Sequence, residues 1–238
     1  MKDALNPFEI LTYILPGWLL FTVVMLVPPP VSFTTPALMD KEAVAALTWL
    51  LVAYVLGHIC GLASSWLNSK FSHQTNYFME IWDDPALKAV SLENLRAAFA
   101  VFVPYYPKLI DKLDKLNVNY GLATGLFNLV QEYNIQQGVQ GSSESVYGEV
   151  KFLQNLSIAA QLVLVYLVIL LIWRGFQFGL WQMFDPAFAF ASAFAVALAV
   201  LLLTRIRIPQ RSRLHVLLVY RAFLVSRLRQ LETSHHGQ

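Results

Sequence analysis

Four stretches of this 238-residue chain are each apolar over about the length that crosses a bilayer, and this limits the architectures open to it. An α-helix rises 1.5 Å per residue, so about 20 predominantly apolar residues cover roughly 30 Å of hydrocarbon. The runs are 8–27, 43–67, 156–173 and 187–204. Backbone polar groups find no partner in lipid, so each run must close its own hydrogen bonds as a helix. The expected fold class is all-α: an integral membrane protein with four transmembrane helices, a helical cytosolic insert and a basic amphipathic C-terminal helix.

Composition agrees. Apolar residues make up 57% of the chain and charged residues 13%, against about 45–50% and about 25% in a typical soluble domain. The mean hydropathy is +0.52. Disorder requires low hydrophobicity and high net charge and is excluded. A disulfide scaffold is excluded because Cys60 is the only cysteine, and it reads as a small apolar filler.

The first run opens Asn6-Pro7-Phe8-Glu9. This is a helix start: Asn as cap, Pro at the first helical position, and an acid in the first turn. Pro16-Gly17 is expected to kink the helix and Val27-Pro28-Pro29-Pro30 to stop it. The apolar stretch exceeds a signal-peptide core and no small-residue cleavage site follows, so it is expected to be a retained anchor. The fourth run alternates Ala and larger apolar residues with period two. Its length and alanine content favour a helix over a strand.

Lysine and arginine orient the chain. Of 17 basic residues, only Lys41 and Arg174 fall in the two short connections, 28–42 and 174–186. By the positive-inside rule both termini and the 67–154 segment are expected to be cytoplasmic, and the expected localisation is the inner (plasma) membrane. Arg205, Arg207, Arg211 and Arg213 adjoining the last span carry most weight. Phe176, Phe178, Trp181 and Phe184 suit an outer aromatic belt.

The chain therefore divides into a transmembrane hairpin (1–66), a helical cytosolic insert (67–143), a long helix into span three followed by span four (144–204), and an arginine-rich tail (205–238). In the insert, Asp84-Pro85 reads as a cap. Leu92, Leu95, Phe99 and Phe102 form a helical stripe that ends at Val103-Pro104, an amphipathic helix covers 108–116, and another covers 124–136. Residues 137–143 read as a flexible connector. The tail has seven arginines and one acid, Glu232. Its apolar stripe is Leu214, Leu217, Leu218, Leu224, Val225, Leu228 and Leu231. Arg205, Arg207, Arg211, Arg213, Arg227 and Arg229 are the candidate contacts to anionic lipid or to a protein partner. Phosphates of nucleic acid attract the same charge, but no recognition motif supports direct nucleic-acid binding.

Within the second span Ala53, Gly57, Gly61 and Ser65 recur every four residues. Small residues on one face let another backbone approach closely, so these four are the candidate helix-packing or oligomerisation face. Ala187, Ala191, Ala195 and Ala199 offer a comparable face on the fourth span, expected to pair with it. His58 and Gln161 are the candidate intramembrane polar site. For His58 a proton-responsive role stands beside a neutral ring hydrogen-bonded to Tyr54 or to a neighbouring helix. Gln161, Thr12 and Thr22 are expected to bond between helices.

No phosphate-binding glycine loop, dinucleotide fingerprint, zinc-protease or nucleophile-elbow motif occurs. Asp83-Asp84 is the only adjacent acid pair and could bind a metal with His73 and Glu80 nearby, but its position before Pro85 reads better as a helix cap. Ser64-Ser65 has no sequence-identifiable base, and Asn155-Leu-Ser157 is a sequon on the wrong side of the membrane. The expectation is a non-enzyme with no cofactor and no metal.

Asn6-Pro-Phe-Glu, Leu15-Pro-Gly-Trp18 and Tyr54-Val-Leu-Gly-His-Ile-Cys-Gly-Leu-Ala-Ser-Ser65, followed by a helical insert and an arginine-rich tail, resemble uncharacterised bacterial membrane proteins. In plan the chain is similar to the four-span membrane subunit of Kiwa-type anti-phage defence systems. That resemblance implies a homo-oligomeric subunit that senses envelope perturbation and holds or signals to a cytosolic protein partner. The expected function is thus a sensor or scaffold in contact with membrane lipids. A pore- or channel-forming effector that depolarises the membrane is the alternative.

Overall fold

The computed structural model describes residues 7–27, 42–71, 92–105, 120–139, 141–178 and 187–236. They form six α-helices and no strand: α1 (Pro7–Leu26), α2 (Glu42–Phe71), α3 (Leu92–Phe99), α4 (Tyr120–Gln136), α5 (Gly141–Phe178) and α6 (Ala187–His236). A 3-10 turn at Ala100–Phe102 extends α3. The protein is all-helical, and α2, α5 and α6 are each long and apolar enough to cross a membrane. The apolar part of α1, Ile10–Leu26, is shorter. Asp83, Asp84, His73, Glu80, the 108–116 stretch, Trp181 and Phe184 lie outside the described residues.

The chain forms two compact units, 1–71 with 148–209 and 72–147 with 210–238. Both α5 and α6 contribute residues to each unit.

In the first unit α1 and α2 run antiparallel. Phe21 meets Trp49 with ring centroids 4.7 Å apart, and Gly17 faces Ala53 while Tyr13 faces Gly57. By contrast α5 runs parallel to α1: Asn155 bonds to residue 12 and Tyr166 to residue 27. Val23 and Val27 of α1, Val163, Leu167 and Leu170 of α5, and Ala193 and Ala197 of α6 bury one another. The alanines expected to pair with α2 behave otherwise: Ala191, Ala195 and Ala199 are exposed. Strict alternation gives α6 two all-alanine faces, and its neighbours Val23 and Leu167 select the one through Ala193 and Ala197. Outside this core the helices present bare hydrocarbon, with Leu51 63% exposed, Leu62 73% and Leu203 62%. So much contiguous apolar surface requires a cover such as lipid.

In the second unit the α6 end packs on α3 and α4. Phe99, Phe102, Leu126, Val130, Val216, Val219, Tyr220 and Phe223 are its core. The buried arc of α6 follows 216, 219, 220, 223 and 224, the i, i+3, i+4, i+7, i+8 pattern of a core-facing helix. It is rotated from the leucine stripe read in the sequence, and Val225 of that stripe is 61% exposed. Aromatic rings at 220 and 223 carry more apolar area than leucines, and Phe223 lies 5.2 Å from Phe102 and 5.3 Å from Tyr133.

Within the expected connector, residues 137–139 are ordered by a helix cap. Val139 N–H donates to the Asn134 carbonyl and Gly138 N–H to that of Ile135, with Gly138 at φ +66°. This is a Schellman cap, which needs a residue with positive φ and therefore favours glycine. Helix α5 starts at Gly141, three residues earlier than expected.

Candidate functional site

The densest arrangement of functional side chains lies where α1 crosses α2. A methyl group at Gly57 would overlap the Tyr13 carbonyl, and one at Gly17 would overlap the Ala53 carbonyl. The two backbones touch, which no larger residue permits. One helical turn on, the contact loosens: a methyl at Gly61 meets the Tyr13 ring at 3.0 Å and the Asn155 amide at 3.5 Å. Ser65 is exposed. Of the four small residues of α2, then, Ala53 and Gly57 are buried against α1 of the same chain.

His58 sits at this crossing, half-buried. Its ring stacks on Tyr13 at 4.0 Å, nearly parallel, and lies nearly perpendicular to the Tyr54 ring at 4.5 Å. It makes ring contacts with both tyrosines and no hydrogen bond to a described residue.

Pro16 lies within α1. It has no N–H, so the carbonyl four residues earlier, that of Thr12, loses its helical donor. Asn155 of α5 supplies one: its Nδ2 donates to the Thr12 carbonyl oxygen at 3.3 Å. Asn155 is 5% exposed, a packing residue rather than a surface acceptor. The carbonyl of Val27, just past the end of α1, is likewise reached by the Tyr166 hydroxyl at 2.7 Å. Neither donor stood out in the sequence. The signal for Asn155 was the proline, whose unsatisfied carbonyl demands a polar side chain from a neighbouring helix.

Gln161 belongs to a different face. It is exposed on α5 and makes no hydrogen bond with a described residue. Around it Leu162, Val165 and Ile169 are exposed as well.

The arginines separate into groups. Arg205, Arg207, Arg213 and Arg229 are exposed, and Arg211 and Arg227 are half-buried. Arg227 donates to Gln230 Oε1 at 2.9 Å and lies 6.0 Å above the Tyr133 ring, while Tyr133 donates to the same Gln230 oxygen at 2.8 Å. Arg227 thus serves the packing of α6 on α4. Arg205 and Arg207 have no partner among the described residues.

One residue with a fixed role went unnoticed in the sequence. His215 is buried, its Nδ1 lies 2.9 Å from the Ser143 carbonyl, and its ring sits between Tyr147 and Phe127, 5.2 and 5.9 Å away. Burial lowers its pKa, against an upward pull from the Ser143 bond. In a basic tail next to leucines it offered no pattern. Among the described residues no group of three acid, histidine or cysteine side chains is placed to hold a metal.

Comparison with protein families, with curated proteins and with solved structures finds no match to this chain.

Proposed function

We propose that the protein is a non-enzymatic inner-membrane sensor or scaffold, and that α5 and α6 transmit state between a lipid-embedded unit and a cytosolic one. The observation that carries this reading is that both helices continue unbroken from the apolar unit into the second unit. In this reading α1 is the fourth span, since 17–25 residues suffice, and both termini are cytoplasmic. Arginines 205 and 207 sit at the headgroup level, where each contributes about 1 kcal/mol of attraction to anionic lipid. The unit boundaries fall at Gly148 and Pro209, residue types that weaken a helix interior. Bending there lets a change in one unit reach the other without unfolding either.

Self-association belongs to the same proposal. Because Ala53 and Gly57 already face α1, the exposed Gln161 on an apolar face is the better subunit contact: a polar side chain in hydrocarbon gains by bonding across helices. The cytosolic unit would hold a protein partner, and the anti-phage setting is the one its plan resembles.

Purified protein in sealed liposomes separates sensor from pore. Liposomes that stay tight to a small fluorescent dye and to potassium are the expected result, and leakage by the protein alone would replace this reading with the pore-forming alternative. Oxidative cross-linking of Gln161→Cys in a Cys60→Ser background should yield a dimer band that Val163→Cys, at a buried position, does not. Absence of any dimer would remove the self-association.

A further inference from the structure

In the second unit a buried histidine of α6 joins the start of α5. His215 is 8% exposed, and its Nδ1 lies 2.9 Å from the Ser143 carbonyl oxygen. Ser143 and Val146 of α5 are buried with it. A carbonyl only accepts, so Nδ1 carries the proton. Nε2 has no hydrogen-bond partner among the described residues. The ring lies between those of Tyr147 on α5 and Phe127 on α4, a place suited to a neutral imidazole.

A second proton, on Nε2, brings a charge and an unpaired donor into this buried place, which is costly. The docked ring therefore resists the proton: burial lowers its pKa, against a smaller upward pull from the Ser143 bond. A ring released into water takes the proton near the ordinary 6.5. Little around it offsets the charge. From α4 come Phe127, Gln131 and Asn134, none of which ionises. From α5 come Tyr147 and Glu144, and Glu144 is exposed, so its charge is screened by solvent. On α6 itself Arg211, one turn away, has the same sign as the protonated ring.

The piece of α5 held here is short. Only residues 141–147 of that helix belong to the second unit, and Gly148 follows them. Two turns make a marginal helix without tertiary contacts, and a glycine weakens their continuation. A tenfold change in their docking equilibrium is therefore large enough to free them.

We propose that His215 is an acid-sensitive latch: protonation of its ring releases the first two turns of α5 from α4 and α6 while the rest of the second unit stays folded. This rests on the reading of α5 as a connection between the two units, and it makes a fall in pH one stimulus that the protein registers. Docking is fully favoured above about pH 6.5 and weakens by up to about tenfold per pH unit below it, until the docked ring also protonates.

Amide exchange of the full-length protein in detergent, corrected for the intrinsic effect of pH, tests this. Protection of Ser145, Val146 and Tyr147 is expected to fall by about three- to tenfold between pH 7.5 and pH 5.5, with 156–170 of the same helix and 216–224 of α6 unchanged. His215→Gln should abolish that pH dependence, and His215→Asn, whose amide takes the place of Nδ1, serves where the first variant does not fold. The latch is overturned by equal protection of 145–147 at the two pH values, by the same loss in the histidine variant, or by a loss spread over α5 and α6 alike. Any of these leaves the sensor or scaffold reading to be decided by liposome leakage.

Discussion

Asn155 of α5 donates its side-chain amide to the carbonyl oxygen of Thr12 in α1, the carbonyl that Pro16 deprives of its helical donor. A proline that disrupts one helix thereby secures the docking of another. In a protein of apolar helices this bond has directional value that leucine contacts lack.

Asn155→Leu keeps the size of the side chain and removes its donor to the Thr12 carbonyl, which should cost about 1–3 kcal/mol. Pro16→Ala restores a backbone N–H, so in the double variant the loss at Asn155 should shrink. Unfolding free energies of the four proteins in one detergent form the cycle. Additive losses would show that Asn155 acts through something other than that carbonyl.

The glycines of the crossing should differ in tolerance. Gly17→Ala and Gly57→Ala force backbones apart and are expected to destabilise by about 1–3 kcal/mol or more. Gly61→Ala meets only the edge of the Tyr13 ring and the Asn155 amide, both able to shift, and should cost less than either. Thermal unfolding in detergent ranks the three.

Two neighbouring tail residues distinguish the observed buried arc from the leucine stripe. Phe223→Ala empties a fully buried site and should cost about 3–5 kcal/mol. Val225→Ala, on the exposed side, should change stability by no more than about 0.5 kcal/mol. Denaturant unfolding followed by tyrosine fluorescence of the full-length protein reads both.

His215 makes stability depend on pH. Burial lowers its folded-state pKa below the ordinary 6.5, so the unfolded chain binds the proton more readily. The stabilisation is fully present above about pH 6.5 and is lost as pH falls from there through the lowered folded value. Stability of the wild type should therefore drop between pH 7.5 and pH 5 by more than that of His215→Gln, measured by chemical denaturation. Parallel curves would remove His215 as the source.

Pro209 should mark a soft point in α6. It removes one helical hydrogen bond, the one to the Arg205 carbonyl. Amide exchange around 205–213 is expected to be faster than on either side and to slow in Pro209→Ala.

Much of this protein was legible in its sequence. Helix class, the bounds of α1 and the start of α2 followed from the apolar runs and from Pro7, because a segment in lipid has no alternative to closing its own backbone bonds; α2 itself continues to Phe71, past the apolar run that ends at 67. The close approach at Gly57 was legible as well, since only small side chains admit a second backbone. What the sequence left open was the choice of partner. Gly57 faces α1, Ala193 and Ala197 rather than Ala191 and Ala195 are buried, and the end of α6 is buried along Val216, Tyr220 and Phe223. Each of these depends on side chains far away along the chain. Periodicity shows that a helix has a face to bury, and only the tertiary structure decides which face and against what. The same holds for His215, whose hydrogen-bond partner, the Ser143 carbonyl, lies 72 residues earlier in the chain.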